Sequence, residues 1–394
     1  ITFGLHEVLL SLQRARSRTT KQPPLCEMAA SHTSLRQKRA RAHLALHTAV
    51  RRYDVPQIKA LIEDGAELTE VDEFGRTSLH LAVVAASQSH RQPNGDATVR
   101  EMVSALLAGD VEALCEVLCL HSDAGLTPLH LAARCGNSSL MGVLLDSIDE
   151  EVLSDVMEMR TQLTGDLYSG NWGKKDADTG ELGELDIEHM TLLHLALERL
   201  DPKEDEDDDP VPLTAAARAE AVELVEMLLR RGADVNARDH YGGTPLNQAV
   251  GAGLHDMAEL LCSAGADPAA TGCKPIGTAN TVLHQAATRG DGEMVRLLLR
   301  LNPHLDVGIG GQNGLTPLCM AARSNKAEAA RALVEGGADP RAVSAFGKSA
   351  LEIARNCERS ATAQPPRSFI VHLSCFQART NKRAAILRLF GEEA

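Results

Sequence analysis

Aromatic side chains are scarce: six Phe, three Tyr and one Trp, 3% of 394 residues. Phe, Tyr and Trp normally dominate the burial in a core. So few of them argue against one large globular core and fit closely stacked short helices filled with Ala and Leu. The apolar fraction, 44%, still suffices for burial and argues against a disordered chain. Long apolar runs are missing too. None approaches the ~18–20 residues a membrane-spanning helix requires. Positive charge is in deficit, and the net charge of −14 excludes a general nucleic-acid binder. No CxxC pair occurs among Cys26, Cys115, Cys119, Cys135, Cys262, Cys273, Cys319, Cys357 and Cys375. These read as small buried hydrophobes or free thiols of a reducing compartment, the cytoplasm, with the nucleus also open. No nucleophile–base–orienter set, phosphate loop or metal quartet is present. The one glycine group, Gly308-Ile309-Gly310-Gly311, lacks GxGxxG spacing and a preceding strand. The expectation is a protein without catalysis and without a cofactor.

What the chain does have is a phrase that recurs. Glu220–Ala270 reads EAVELVEMLLRRGADVNARDHYGGTPLNQAVGAGLHDMAELLCSAGADPAA. Thr244-Pro245 starts a helix, because threonine caps free N–H groups and proline suits the first helical position. Leu246, Ala249 and Val250 then form one apolar stripe. A second helix carries Met257, Leu260 and Leu261 and closes at Gly265, where glycine tolerates the left-handed conformation. The helix before the phrase's turn obeys the same grammar: Val222, Val225, Leu228 and Leu229, then Gly232. Asp239–Gly242 supplies turn chemistry between units.

Thr127-Pro128-Leu129-His130-Leu131-Ala132-Ala133 is a full match to T-P-L-H-x-A, so the chain resembles the ankyrin repeat family, whose unit is about 33 residues. The same slot recurs near Leu44, Thr77, Thr191, Thr244, Thr281, Thr316 and Ser349, with steps of 33, 50, 64, 53, 37, 35 and 33 residues when Thr127 follows Thr77. The resemblance implies an all-α solenoid of stacked helix-turn-helix units with short β-turn or hairpin tips. About eight units are expected over 43–394, with insertions at about 85–103, 147–188 and 200–212 and a capping unit at 345–394. The second helix of unit two is expected at Val111–Leu120, a long helix at Leu213–Arg231 and a last helix at Asn381–Phe390.

Residues 1–42 differ in character. They hold eight Lys or Arg against Glu7 and Glu27, which reads as a disordered basic segment, a mistranslated leader before Met28, or an organelle transit peptide. A chain beginning at Ile1 is expected to be a fragment, a processed form or an overlong reading. Asp201–Asp209 lacks the ligand spacing of an EF-hand loop and reads as a solvated linker. Trp172 is expected to anchor its insertion to the solenoid.

Within the resemblance, the slot histidines His47, His80, His130, His194 and His284 hydrogen-bond inside and between units rather than bind metal. Asn247 and Cys319 replace histidine there, which predicts slightly looser units five and seven. Asp234-Val235-Asn236, with Leu228 eight residues before the asparagine, is similar to ankyrin sites modified by asparaginyl hydroxylases. Tips and first helices line the partner-binding groove in this family. Phe74, Tyr241 and Phe346 each stand just before a turn glycine, and exposed aromatics make good interface anchors. Glu73, His240 and Arg134 are the next candidates. The reading is therefore a non-catalytic scaffold or adaptor for protein partners, monomeric, with no nucleic acid and no membrane. Two rivals stand beside it. One is a substrate receptor of a ubiquitin ligase, for which Val371–Ala378 is vaguely similar to an adaptor-docking box. The other is the regulatory arm of a larger enzyme or channel.

Overall fold

The computed structural model of the protein describes residues 45–88, 95–108, 111–161, 189–198, 215–272 and 279–361, with isolated positions at 200, 385, 386 and 389. The basic segment 1–42, Trp172, Asp201–Asp209, the tail stretch Val371–Ala378 and most of Asn381–Phe390 lie outside the described residues.

Helices follow one another in pairs. α1 (45–51) and α2 (Val55–Glu63) form unit one. α3 (Ser78–Gln88) and α4 (Gly95–Leu107) form unit two, with α5 (Val111–Cys119) following them in the chain. α6 (Pro128–Cys135) and α7 (Ser138–Asp146) form unit three, with α8 (Glu150–Met157) added. Units four to seven are α9 (Leu192–Glu198) with α10 (Ala215–Arg230), α11 (Pro245–Ala252) with α12 (His255–Ser263), α13 (Val282–Arg289) with α14 (Gly292–Leu301), and α15 (Pro317–Arg323) with α16 (Ala327–Glu335). α17 (Ala350–Ala361) opens unit eight. Among the described residues there is no strand, only one isolated antiparallel bridge, Val343 to Ser349.

Local chemistry sets these boundaries. Thr127, Thr244 and Thr316 cap first helices by accepting the N–H of the third helical residue. Gly136, Gly253 and Gly290 close three of those helices in the left-handed conformation. Asp54, Asn137 and Asp291 cap second helices in the same way as the threonines. Asn236 ties successive second-helix turns: its Nδ2 donates to Gly265 O, and its Oδ1 accepts from Asp267 N at 2.8 Å.

Stacking then buries the apolar stripes. First helices pack in sequence, α3 on α6, α6 on α9, α9 on α11, α11 on α13, α13 on α15 and α15 on α17. Second helices pack alongside, α2 on α4, α4 on α7, α7 on α10, α12 on α14 and α14 on α16. One buried cluster runs the length of the array, with Leu79, Leu129, Leu193, Leu246, Leu283 and Leu318 at the same slot of successive units. Fully burying each such leucine contributes roughly 1.5–3 kcal/mol. Small residues let the helices approach: Ala82, Ala132, Ala196, Ala249, Ala286 and Ala321 share the next buried slot.

Unit two corrects the sequence reading. Its second helix is Gly95–Leu107, not Val111–Leu120, because Gly95–Leu107 is the helix that packs against both α2 and α7. The resemblance of Gly109-Asp110-Val111-Glu112 to other second-helix starts was misleading. The extra length of this unit goes into longer paired helices and the added α5.

His80, His130, His194 and His284, four of the five slot histidines, join the layers. The Thr77, Thr127, Thr191 and Thr281 N–H groups donate to Nδ1 of His80, His130, His194 and His284, which leaves the ring proton on Nε2. Nε2 then donates to a carbonyl of the next unit: His80 to Leu126 O at 3.0 Å, His130 to Met159 O at 3.3 Å, His194 to Gly243 O at 3.3 Å and His284 to Leu315 O at 2.9 Å. Burial holds these rings neutral. It pushes His80 and His194 down to about 4 and His130 to about 3, and it lowers His284 as well. Asn247 keeps the cap, its Oδ1 accepting from Thr244 N at 2.9 Å.

Candidate protein-interaction surface

The described tips share a backbone bond across the neck. Asp72 N donates to Arg76 O, Ser122 N to Leu126 O, Asp239 N to Gly243 O, Gly311 N to Leu315 O and Ser344 N to Lys348 O, all within 2.8–2.9 Å. Two tips keep that bond across a longer connection: Thr161 N to Met190 O at 3.0 Å in unit four, and Gly272 N to Asn280 O at 3.3 Å in unit six. Extra sequence has therefore been placed inside the tips of units four and six. His189 takes the left-handed position there (φ 56°) that Gly75, Gly125, Gly242 and Gly347 take in other tips.

Successive tips are tied into one row. Asp123 N donates to Phe74 O at 3.0 Å, joining tips two and three. His121 Nε2 donates to Arg160 O at 3.3 Å, and Arg160 in turn donates to Arg238 O. Arg238 Nη1 donates to Thr271 O at 2.7 Å, joining tips five and six. Gln312 N donates to Asn280 Oδ1 at 2.9 Å, and Ala345 N donates to Asn313 O at 3.2 Å, completing the row to tip eight. Gly272 passes so close to Gly242 that a Cβ on it would sit 1.9 Å from the Gly242 carbonyl oxygen.

Within this frame the sequence candidates fall into two groups. Phe74 and Phe346 occupy the same slot of tips two and eight and are 38% and 66% exposed. The Arg76 guanidinium lies 4.7 Å from the Phe74 ring centre. Arg76 is itself buried against Asp72 at 3.0 Å. Burial alone would raise the Asp72 carboxyl, but hydrogen bonds from Arg76 and Phe74 overcome it and hold it below the usual range. Glu73 is exposed beside Phe74. His240 is exposed on tip five, stacked on His189 at 5.8 Å and edge-on to Tyr241 at 5.4 Å. Tyr241 is thereby half-buried rather than free-standing. Arg134 belongs to neither group: it is half-buried at the C-terminal end of α6, away from the tips.

Val71 and Val343 carry no signal in the sequence, because valine is common and its exposure is set by the hairpin. They stand three residues before Phe74 and Phe346 and are 47% and 61% exposed. These four are the exposed large apolar side chains among the described residues, and all lie on tips, in one pair of slots. Among the described residues, no group of three or more His, Cys, Asp or Glu converges as a metal site would require, and no helix is long and apolar enough to cross a membrane.

Comparison with known proteins gives a consistent picture. Models described as ankyrin repeats (three copies) match residues 185–272 and 273–363, and an ankyrin repeat model matches 124–153. The chain is 35% identical over 163 residues to the ankyrin repeat and KH domain-containing protein mask-1 of Caenorhabditis elegans, covering 39% of this chain and 6% of that protein. It is 28% identical over 238 residues to the B-cell lymphoma 3 protein homolog of Mus musculus, covering 55% of this chain and 50% of that one. It is 31% identical over 137 residues to the transient receptor potential cation channel subfamily A member 1 of Homo sapiens, covering 34% and 12%. The matches thus span half or less of these relatives' lengths. Units whose threonine-capped helices, buried leucines and interlayer histidines repeat from Thr77 to Ser349 place the chain in the ankyrin repeat family, a family of protein–protein interaction domains.

Proposed function

We propose that the protein is a non-catalytic scaffold that captures protein partners on its row of tips and the adjoining first-helix face. The observation that carries this reading is the confinement of Val71, Phe74, Val343 and Phe346 to equivalent tip slots. A side chain exposed to water at such a slot contributes little to folding, yet it can fill a pocket on a partner. A few buried aromatic anchors usually dominate such an interface. The tips are also preorganised by the neck bonds and by the bonds between tips, so little conformational entropy is lost when a partner docks. Tyr241, braced by His240, is a second anchor at the middle of the row, with Glu73 beside Phe74 as a polar rim contact. Arg134 is retained as a contact of the first-helix face. The protein is expected in the cytoplasm or nucleus.

Affinity purification followed by mass spectrometry tests this. Phe346→Ala with Tyr241→Ala should weaken capture of the recovered partners by about thirtyfold or more, the loss expected at an anchor worth ~2 kcal/mol. The unfolding curve should barely move. Equal capture by the double variant would remove the tips from the binding surface.

A further inference from the structure

The tip row is open at one end. At tips three, seven and eight the residue after the neck donor gives its N–H to the tip before: Asp123 N to Phe74 O, Gln312 N to Asn280 Oδ1 and Ala345 N to Asn313 O. Glu73 holds that place in tip two, and its N–H meets no acceptor among the described residues. An unpaired edge donor beside the exposed Val71 and Phe74 is a seat for another stretch of backbone. Its surroundings are acidic. Glu67, Glu70, Asp72 and Glu73, with Asp123 from tip three, outnumber the guanidinium groups of Arg51, Arg52 and Arg76 by five to three. Arg51 and Arg76 both go to Asp72, at 3.5 and 3.0 Å. Glu70 and Glu73 are exposed and enter no salt bridge among the described residues.

We infer that the occupant of this seat is the chain's own basic stretch 36–42, RQKRARA, docked on tip two with the Arg41 carbonyl accepting the Glu73 N–H. The register follows from the repeat. The 33-residue step from Leu44 to Thr77 equals that from Thr316 to Ser349, so Arg41 stands to Glu73 as Asn313 stands to Ala345. α1 is anchored by the fully buried Leu46, Ala49 and Val50, so the residues just before it are tethered at the tip end of the first helices. Their effective concentration at tip two is therefore high. Arg36, Lys38, Arg39 and Arg41 bring four positive charges and no acid to face Glu70 and Glu73. The stretch lacks the turn residues of the other tips. Arg39 stands where the Asp72 carboxylate accepts from the tip-two backbone, and Ala42 stands where Gly75 is left-handed. Charge, rather than a turn of its own, holds the stretch in place, and the docking is reversible. Docked there, it screens Val71 and Phe74, so it competes with a protein partner for tip two and leaves tip eight open. That consequence rests on the tips being a binding surface; the docking itself does not.

Amide hydrogen exchange at position 73 of the full chain, resolved to single residues by gas-phase fragmentation and corrected for intrinsic rates, tests this with no partner present. In the wild type it should be slow, and added salt should speed it. Arg39→Glu with Arg41→Glu should speed it at least about tenfold, and so should Glu70→Lys with Glu73→Lys. The unfolding curve should stay in place in both, since all four side chains lie outside the core. The four changes together set opposite charges face to face again and should bring slow exchange back. A wild-type amide at position 73 that exchanges as open backbone overturns the inference. Slow exchange that neither charge reversal alters overturns it too. The free chain is read alone, so failure here is separate from failure of the wider reading, which the capture experiment tests through Phe346→Ala at tip eight.

Discussion

Acidification should unfasten units two to four before units five and seven. His80, His130 and His194 lie in three successive units, and burial holds their rings at about 4, 3 and 4 in the folded chain. An unfolded histidine titrates near 6.5. A folded value below the unfolded one means that the unfolded state takes up the proton first as pH falls. The contribution of each ring is therefore intact above about 6.5 and is lost between 6.5 and the folded value. Worked from these values, each ring costs about 2 kcal/mol at pH 5 relative to pH 7.5, and three together about 6 kcal/mol. Units five and seven carry Asn247 and Cys319 in that slot and feel no such term. Because each unit is held mainly by its neighbours, the loss should be local. Hydrogen exchange followed by mass spectrometry at pH 7.5 and 5.0, corrected for intrinsic exchange, measures it. Protection in 77–135 and 190–198 should fall well before protection in 316–335. His130→Asn sharpens the test, since Asn247 shows that asparagine keeps the helix cap. That variant should be less stable at pH 7.5, having lost the bond to Met159 O, yet flatter with pH by about 1.4 kcal/mol per unit. Ring proton resonances of His80, His130 or His194 titrating near 6.5 in the folded protein would refute the reasoning.

Other consequences are simpler to check. Leu129 is buried at the slot shared by every first helix, so Leu129→Ala should cost about 2–5 kcal/mol, read by urea unfolding at 222 nm. Exchange should rise mainly in units two to four, and uniform loss along the array would contradict nearest-neighbour coupling. Asp72→Ala leaves the Arg76 guanidinium buried without its carboxylate and should cost about 3–5 kcal/mol. It should also free the Phe74 tip, whose N–H donates to Asp72, so that proteolysis within 70–76 quickens.

Much of this fold could be read from spacing alone. The threonine-proline start and the αL glycines are local signals, and they landed where the helices begin and end. The histidine bonds followed from the repeat itself. Unit two was misread because Gly109-Asp110-Val111-Glu112 satisfies the same local rule, while the true second helix is distinguished only by what it packs against. The position of extra sequence within tips four and six was likewise invisible. Thr161 and Met190 are remote in sequence, and only the three-dimensional neck bond joins them. The tip aromatics were visible because aromatics are rare here. Val71 and Val343 were not, since valine is ordinary and its exposure depends on the hairpin. Tyr241 was expected to stand free, yet His240 packs edge-on against it.

The sharpest single measurement is hydrogen exchange of the free chain against the chain bound to a captured partner. Protection should be gained across the tips, in 70–76, 238–243 and 341–348, and along the first helices beneath them. Protection gained instead on the second helices, with the tips unchanged, would contradict a scaffold that binds through its tip row.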